Sequence, residues 1–356
     1  MLNLIRRRLR PIRLMYNCLK GQKKFGDLSR NSEKVCWLIG PPEHRNLGDH
    51  AIAYATIKFV QDILPDYEII EITEETFYDK FLRMKKLIKP LDIILLQGGG
   101  NFGNLYQYIE DIRRVVITSC KKNPIIMMPQ SVYFTPDKIG EIEKKKTEKL
   151  YGKNNNLYFF AREKISEEIM KEFLDEENIS CVPDIVLWLN NKTAVGNFER
   201  NGILFCLRDD VESKLNAEDK ERILEIAQKC GKVECTDTID DCDVPWKERH
   251  INLEKKWTRF ATSKVVITDR LHGLIFAAIT NTPCVVFSNN NHKIRGVCDW
   301  LSEFSSIIYV NSPEELTEDI LLKLQENNCN NEKTWDEINK AYEPLRLKLL
   351  EAVKNG

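Results

Sequence analysis

Two doubly wound, Rossmann-like α/β domains facing a cleft are the architecture that the sequence predicts, on three observations. Short β-favouring apolar runs alternate with segments of helical periodicity along nearly the whole chain, which calls for crossover connections and parallel sheets. The 356 residues exceed the usual size of one hydrophobic core. Around 190–201 the alternation breaks into Asn, Lys, Thr and Gly, the composition of an interdomain linker. The expected division is a basic amphipathic arm at 1–32, an α/β domain at 33–195, a second at 196–330, and a C-terminal helix at 331–356 that packs back across both.

Composition narrows the function classes. A net charge of −1, with 42% hydrophobic and 30% charged residues, describes a globular protein with no global field for nucleic acid. The first 26 residues hold Arg6, Arg7, Arg8, Arg10, Arg13, Lys20, Lys23 and Lys24 and no acid, interleaved with apolar side chains. Two readings of this arm stand open: peripheral contact with an anionic membrane surface, and a solubilising tail. No apolar run is long enough to span a membrane, and the arm lacks the core of a signal peptide. The 11 cysteines are scattered without a C-x-x-C pair, several of them inside apolar strand-like runs. Those in apolar runs read as buried free thiols, and the set as a whole implies a reducing cytoplasm, with neither a zinc-ligand spacing nor a disulfide framework.

In the first half, residues 34–40 form an apolar strand followed by Asn46-Leu47-Gly48-Asp49, a Gly-containing loop with Asp49 near the N-cap of a helix at 51–63. Strands follow at 68–72 and 92–97. The latter runs into Gly98-Gly99-Gly100-Asn101-Phe102-Gly103, read as a loop whose backbone can approach a ligand closely. It lacks the Gly-Lys-Ser/Thr of a P-loop and the spacing of a dinucleotide fingerprint. Close packing is the competing reading of these glycines. Further strands at 124–128, 157–160 and 180–182 end in Pro129-Gln130-Ser131, Ala161-Arg162-Glu163 and Pro183-Asp184. Arg162 is placed to clamp a carboxylate or phosphate, or to be neutralised by Glu163 and Glu167.

The second half opens with a strand at 202–207 leading to Arg208, then a helix at 217–230, a strand at 232–235 and an acidic loop at 237–243. That loop lacks the spacing of an EF-hand and is read as a solvated connection. A helix at 253–261 precedes the apolar run 264–267 and then Thr268-Asp269-Arg270-Leu271-His272-Gly273. In open α/β sheets, ligands collect beyond the carboxyl ends of strands, where a helix amino terminus also presents unpaired N–H groups. Arg270 can supply a forked permanent charge there and His272 a transferable proton; alternatively, Arg270 pairs with Asp269 and His272 caps the helix. A strand at 283–287 leads towards Lys293, and a last helical segment at 332–353 is interrupted by Pro344.

Taken in order, these motifs, with Ser166 and Lys293, resemble the polysaccharide pyruvyl transferase family over about residues 33–310. The resemblance implies a two-domain fold like that of GT-B glycosyltransferases. It also implies transfer of an enolpyruvyl-derived group from phosphoenolpyruvate to a sugar or lipid-linked oligosaccharide, giving a pyruvate ketal in bacterial envelope or exopolysaccharide synthesis, without cofactor or metal. Carried onto this chain, His272, Arg270 and Asp49 become the catalytic candidates. Arg162, Lys293, Asn46, Gly98, Gly99, Gly100, Asn101 and Leu271 become the substrate-binding ones. The residue types suit that chemistry. Arginine and lysine clamp a polyanionic donor, His272 can protonate its methylene carbon, and Asp49 can take a proton from the attacking hydroxyl. A nucleotide-sugar glycosyltransferase on the same scaffold and a non-catalytic envelope-assembly partner are the competing expectations.

Overall fold

The computed structural model describes residues 14, 16–20, 28–190, 192–193, 198–209, 213–288, 293–326 and 331–354. The linker at 190–201 therefore lies partly outside the described residues, and so does most of the basic arm at 1–32.

Two parallel sheets carry the chain. The first contains β1 (Val35–Ile39), β2 (Glu68–Ile72), β3 (Ile93–Leu96), β4 (Gly99–Gly103), β5 (Ile125–Tyr133), β6 (Leu157–Ala161) and β7 (Ile179–Cys181). Their order is β2-β1-β3-β5-β6-β7, with β4 paired to β5. The second contains β8 (Ile203–Cys206), β9 (Val233–Cys235), β10 (Val265–Thr268), β11 (Cys284–Phe287) and β12 (Ile307–Val310), in the order β12-β11-β10-β8-β9. The central strands β1, β3, β8, β10 and β11 are buried throughout, as expected of parallel strands covered on both faces. Cys36, Cys206 and Cys284 are free and buried within them.

Strand order reverses between β1 and β3 in one sheet and between β8 and β10 in the other. Those are the switch points at which an open parallel sheet leaves a crevice. Cys206 pairs with Thr268 across the second switch, so Arg208 and Arg270 each stand two residues beyond the same rung.

Three local expectations are corrected. The helix after β1 runs from Leu47 to Ile63, capped by Asn46, whose side chain accepts from Gly48 N at 3.0 Å; Asp49 lies in its first turn. The glycine-rich stretch is a strand, β4, because β5 runs on past the end of β3 and offers it an edge. A Cβ on Gly98 would sit 2.5 Å from the Pro129 carbonyl, and Gly99 has a φ of +126°, so close strand packing requires both glycines. The acidic loop at 237–243 is solvated only at 241–243. Leu47 N donates to Thr238 O at 2.8 Å, Asp240 N to Arg45 O at 2.8 Å, and Asn46 bridges Ile239, so this loop is hydrogen-bonded to the first half of the chain.

The C-terminal segment forms two helices, Glu332–Lys340 and Glu343–Lys354. The break falls at Ala341-Tyr342, and Pro344 sits in the first turn of the second helix, where its missing N–H does no harm. Leu345 and Leu349 share a core with Phe59 of the first half and Phe276 of the second. Tyr342 is buried against Phe59 and Trp188 and donates to Asp184 O at 2.5 Å.

Candidate active site

A cavity of about 660 Å³ opens where the two switch points face each other. From the second sheet come Arg208, Arg270, Leu271 and His272, and from the loop beyond β1 come His44, Asn46 and Asp49.

The second-sheet wall follows from strand register. Arg270 is the N-cap residue of the helix Leu271–Ile279 and leaves β10 in an extended conformation. Its guanidinium is held by Asp237 in a forked pair, Nε to Oδ1 at 2.6 Å and Nη2 to Oδ2 at 2.7 Å. The acid partner expected from sequence, Asp269, turns elsewhere: it accepts from Arg208 N at 2.8 Å and from Ser213 Oγ at 3.3 Å. Burial pushes the Asp269 carboxyl up, against the hydrogen bond from Arg208 N and the nearby arginine charges. Asp269 thus ties the end of β8 to the end of β10 and brings Arg208 to the cavity beside Arg270.

The first-sheet wall is built by Asn46. Its Oδ1 caps the helix while its Nδ2 donates to Asp49 Oδ2 at 2.8 Å. Gln97 at the end of β3 donates to Asp49 O at 3.1 Å. His44 was not singled out from the sequence, although it stands two residues before Asn46 in the same loop. Its Nε2 lies 3.3 Å from Glu74 Oε1 and 3.6 Å from Asp49 Oδ2. Burial alone would lower its pKa, but the hydrogen bond to Glu74 and the charges of Asp49, Glu74 and Glu75 prevail and raise it. His50, one turn on, is fully buried and is pushed down to about 4, first by burial and then by Arg249. Its Nε2 bonds His44 O at 2.7 Å, its Nδ1 accepts from Arg249 Nε at 3.3 Å, and Arg249 Nη1 pairs with Glu71 at 2.7 Å. A neutral histidine and a guanidinium therefore join the two halves behind the loop.

Arg162 reaches the cavity wall, yet its side chain is only 1% exposed. Its Nη1 donates to Asp184 Oδ2 and its Nε to Ser131 Oγ, both at 2.7 Å. Ser131 Oγ donates to Glu163 at 2.7 Å, Ser166 Oγ bonds the same carboxylate, and Trp300 of the second half donates to Arg162 O at 3.0 Å. The strand expected at 124–128 runs on to Tyr133, so Ser131, within β5, joins Arg162 and Glu163 after β6 and Asp184 after β7 in one buried polar network behind the cavity. The neutralising acid is Asp184, with Glu163 more distant at 3.8 Å.

Among the remaining candidates, Gly100 and Asn101 line the cavity, and Asn101 Oδ1 accepts from Arg113 and from Gln130 Nε2. Gly98 and Gly99 shape the strand behind them. Lys293 begins the helix Lys293–Trp300, and its side chain lies outside the described residues. No three His, Cys, Asp or Glu side chains come together as a metal site among the described residues, and no helix among them is long and apolar enough to cross a membrane.

Paired Rossmann-like sheets with a cleft at their facing switch points define a GT-B-like fold. The UDP-GlcNAc 2-epimerase of Neisseria meningitidis, solved with UDP-GlcNAc, shares this fold with a TM-score of 0.51 over 89% of this chain and 100% of that one, at 12% identity. The match to polysaccharide pyruvyl transferases over residues 46–291 is more specific, and the chain belongs to that family of transferases. General stress protein 30 of Bacillus subtilis (strain 168) is 37% identical over 322 residues, 88% of this chain and 91% of that protein. Pyruvyl transferase 1 of Schizosaccharomyces pombe (strain 972 / ATCC 24843) is 29% identical over 71% of this chain and 66% of that protein.

Proposed function

We propose that this transferase takes phosphoenolpyruvate as donor and closes a pyruvate ketal on two hydroxyls of a sugar in a bacterial exopolysaccharide or envelope glycan. The observation that carries this reading is the convergence of Arg208, Arg270 and His272 at the β8/β10 switch point, opposite Asn46 and Asp49. Forked guanidinium groups suit the donor's carboxylate and phosphate. His272 delivers a proton to the methylene carbon as the first hydroxyl adds to the neighbouring carbon, and Asp49 takes the proton of that hydroxyl. The C–O bond to phosphate then breaks, the second hydroxyl adds, and its proton leaves with the phosphate. Return of the first hydroxyl's proton from Asp49 to His272 resets both groups, so the net change places one hydroxyl proton in the new methyl group and one on phosphate. No cofactor is needed for this balance. The basic arm at 1–32 supplies a peripheral hold on the cytoplasmic face of an anionic membrane, where lipid-linked acceptors would reside.

Isothermal calorimetry tests the donor, comparing phosphoenolpyruvate with UDP- and GDP-sugars on the wild type and on Arg270→Ala. Saturable phosphoenolpyruvate binding that the substitution abolishes is the expected result. Binding of a nucleotide sugar alone would replace this reading with that of a glycosyltransferase.

A further inference from the structure

We infer that Leu105, Tyr106 and Tyr108 form the platform on which a pyranose ring of the acceptor glycan stacks, a subsite on the side of the cavity away from the donor arginines. The identification of the ligand as the acceptor rests on the transferase reading above.

All three side chains line the cavity, and they are 56%, 48% and 47% exposed. Large apolar groups left half in water within four residues of one another, at the mouth of a polar cavity, mark a recognition surface rather than a core. One end of the platform is fixed. Tyr108 donates from its hydroxyl to Glu74 O at 2.7 Å and meets Tyr78 edge-on at 5.8 Å between centroids. The helix Gln107–Ser119 that follows is anchored by buried Glu110, which accepts from Arg113 at 3.2 Å and from Tyr151 at 2.7 Å.

Charge selects the occupant. Burial and the carboxylates of Glu74, Glu75 and Asp79 push the Tyr108 phenol up to about 12, so this lip is acidic. Arg208 and Arg270 make the opposite wall basic. An anionic donor is drawn to the arginines, whereas an anionic lipid surface is repelled from the lip. A neutral polyol with one apolar C–H face matches a tyrosine ring with polar groups around it. Because the platform and the basic wall share one cavity, a sugar seated on Tyr106 is presented to the transferred group.

Saturation-transfer difference NMR on the full chain tests this, with p-nitrophenyl β-D-glucopyranoside, galactopyranoside and mannopyranoside as probes. Ring-proton saturation is expected with at least one of them in the wild type, falling at least fivefold in Tyr106→Ala and returning in Tyr106→Phe. The melting temperature and phosphoenolpyruvate affinity should be unchanged. Should Tyr106→Ala melt early, Leu105→Ser serves in its place. Equal ring-proton saturation in the wild type and Tyr106→Ala overturns the subsite; so does saturation confined to the nitrophenyl group, or no saturation of any probe by the wild type. Tyr106-dependent sugar saturation in a protein that fails to bind phosphoenolpyruvate would leave the subsite standing and remove the donor assignment instead.

Discussion

A Cβ on Gly48 would lie 2.2 Å from His272 Nδ1 and 2.5 Å from its Cγ, so the first turn of the helix after β1 rests directly on the imidazole beyond the end of β10. Glycine is required there by proximity, since no side chain fits between the helix backbone and the ring. The contact sets the position of the histidine from the opposite half of the chain. Gly48→Ala forces the partly exposed ring to move, and a displacement near 1 Å at a reacting group lowers turnover by about 100-fold. Transfer rate and melting temperature, measured together, check this. Undiminished turnover would show that the histidine need not be held there.

Arg208 and Arg270 form the basic wall, and Arg270 is drawn into a forked ion pair with Asp237. Lysine at 270 keeps the charge and loses the fork, so Arg270→Lys should weaken phosphoenolpyruvate binding by about 10-fold or more. Arg208→Ala should weaken it comparably. Calorimetry on each variant decides, and an unchanged affinity in both would place the donor elsewhere in the cavity.

Asp184 neutralises the buried Arg162 guanidinium at 2.7 Å, while its own carbonyl accepts from Tyr342 at 2.5 Å. Removing the carboxylate charge leaves an arginine in a low-dielectric interior, which costs about 3–5 kcal/mol. Asp184→Asn should therefore lower stability by roughly that amount in denaturant titrations. A loss under about 1 kcal/mol would mean that Ser131 and Glu163 suffice to hold the arginine.

His50 imposes an acid limit on stability. Its folded pKa of about 4 lies below the ordinary 6.5, so under pH 6.5 the unfolded chain takes up a proton that the folded chain refuses. The contribution is complete above pH 6.5 and is lost as the pH falls towards 4, amounting to roughly 3 kcal/mol over that window. Glutamine, whose amide nitrogen reaches the position of the histidine Nε2, can still donate to His44 O without titrating. Melting curves at pH 7.5 and 4.5 should show a smaller drop for His50→Gln than for the wild type; equal drops would assign the acid sensitivity to the carboxylates.

The parallel strands and the ends of β8 and β10 were legible because each is a local pattern, an apolar run followed by polar residues. The helix cap at Asn46 and the reach of Arg208 were not, since both depend on how a loop closes. Asp237 was read as a solvated acid because its partner, Arg270, is 33 residues away and meets it only after the loop folds over the ends of two strands. The glycines at 98–99 looked like a ligand loop, and only the extra length of β5 shows that they pack as a strand. β12, with its Ile-Ile-Tyr-Val run, is a β-favouring segment as plain as β11. His44 carried a signal too, a titratable residue in the loop that also holds Asn46 and Asp49.

His44 leads to the last expectation, opposite in sign to that for His50. Its pKa is raised above 6.5 because Glu74 at 3.3 Å, with Asp49 and Glu75, outweighs burial. Protonated, it bridges the carboxylates of Asp49 and Glu74; neutral, it leaves those two charges facing each other across the cavity wall. The stabilisation is therefore fully present below pH 6.5 and disappears as the pH rises through the raised value. Glutamine keeps a donor near both acids but cannot titrate. The wild type should lose melting temperature and turnover as the pH rises above 6.5 through the raised value, whereas His44→Gln should be nearly flat over the same rise. Parallel declines in both proteins would show that the alkaline limit arises outside the His44, Asp49 and Glu74 cluster.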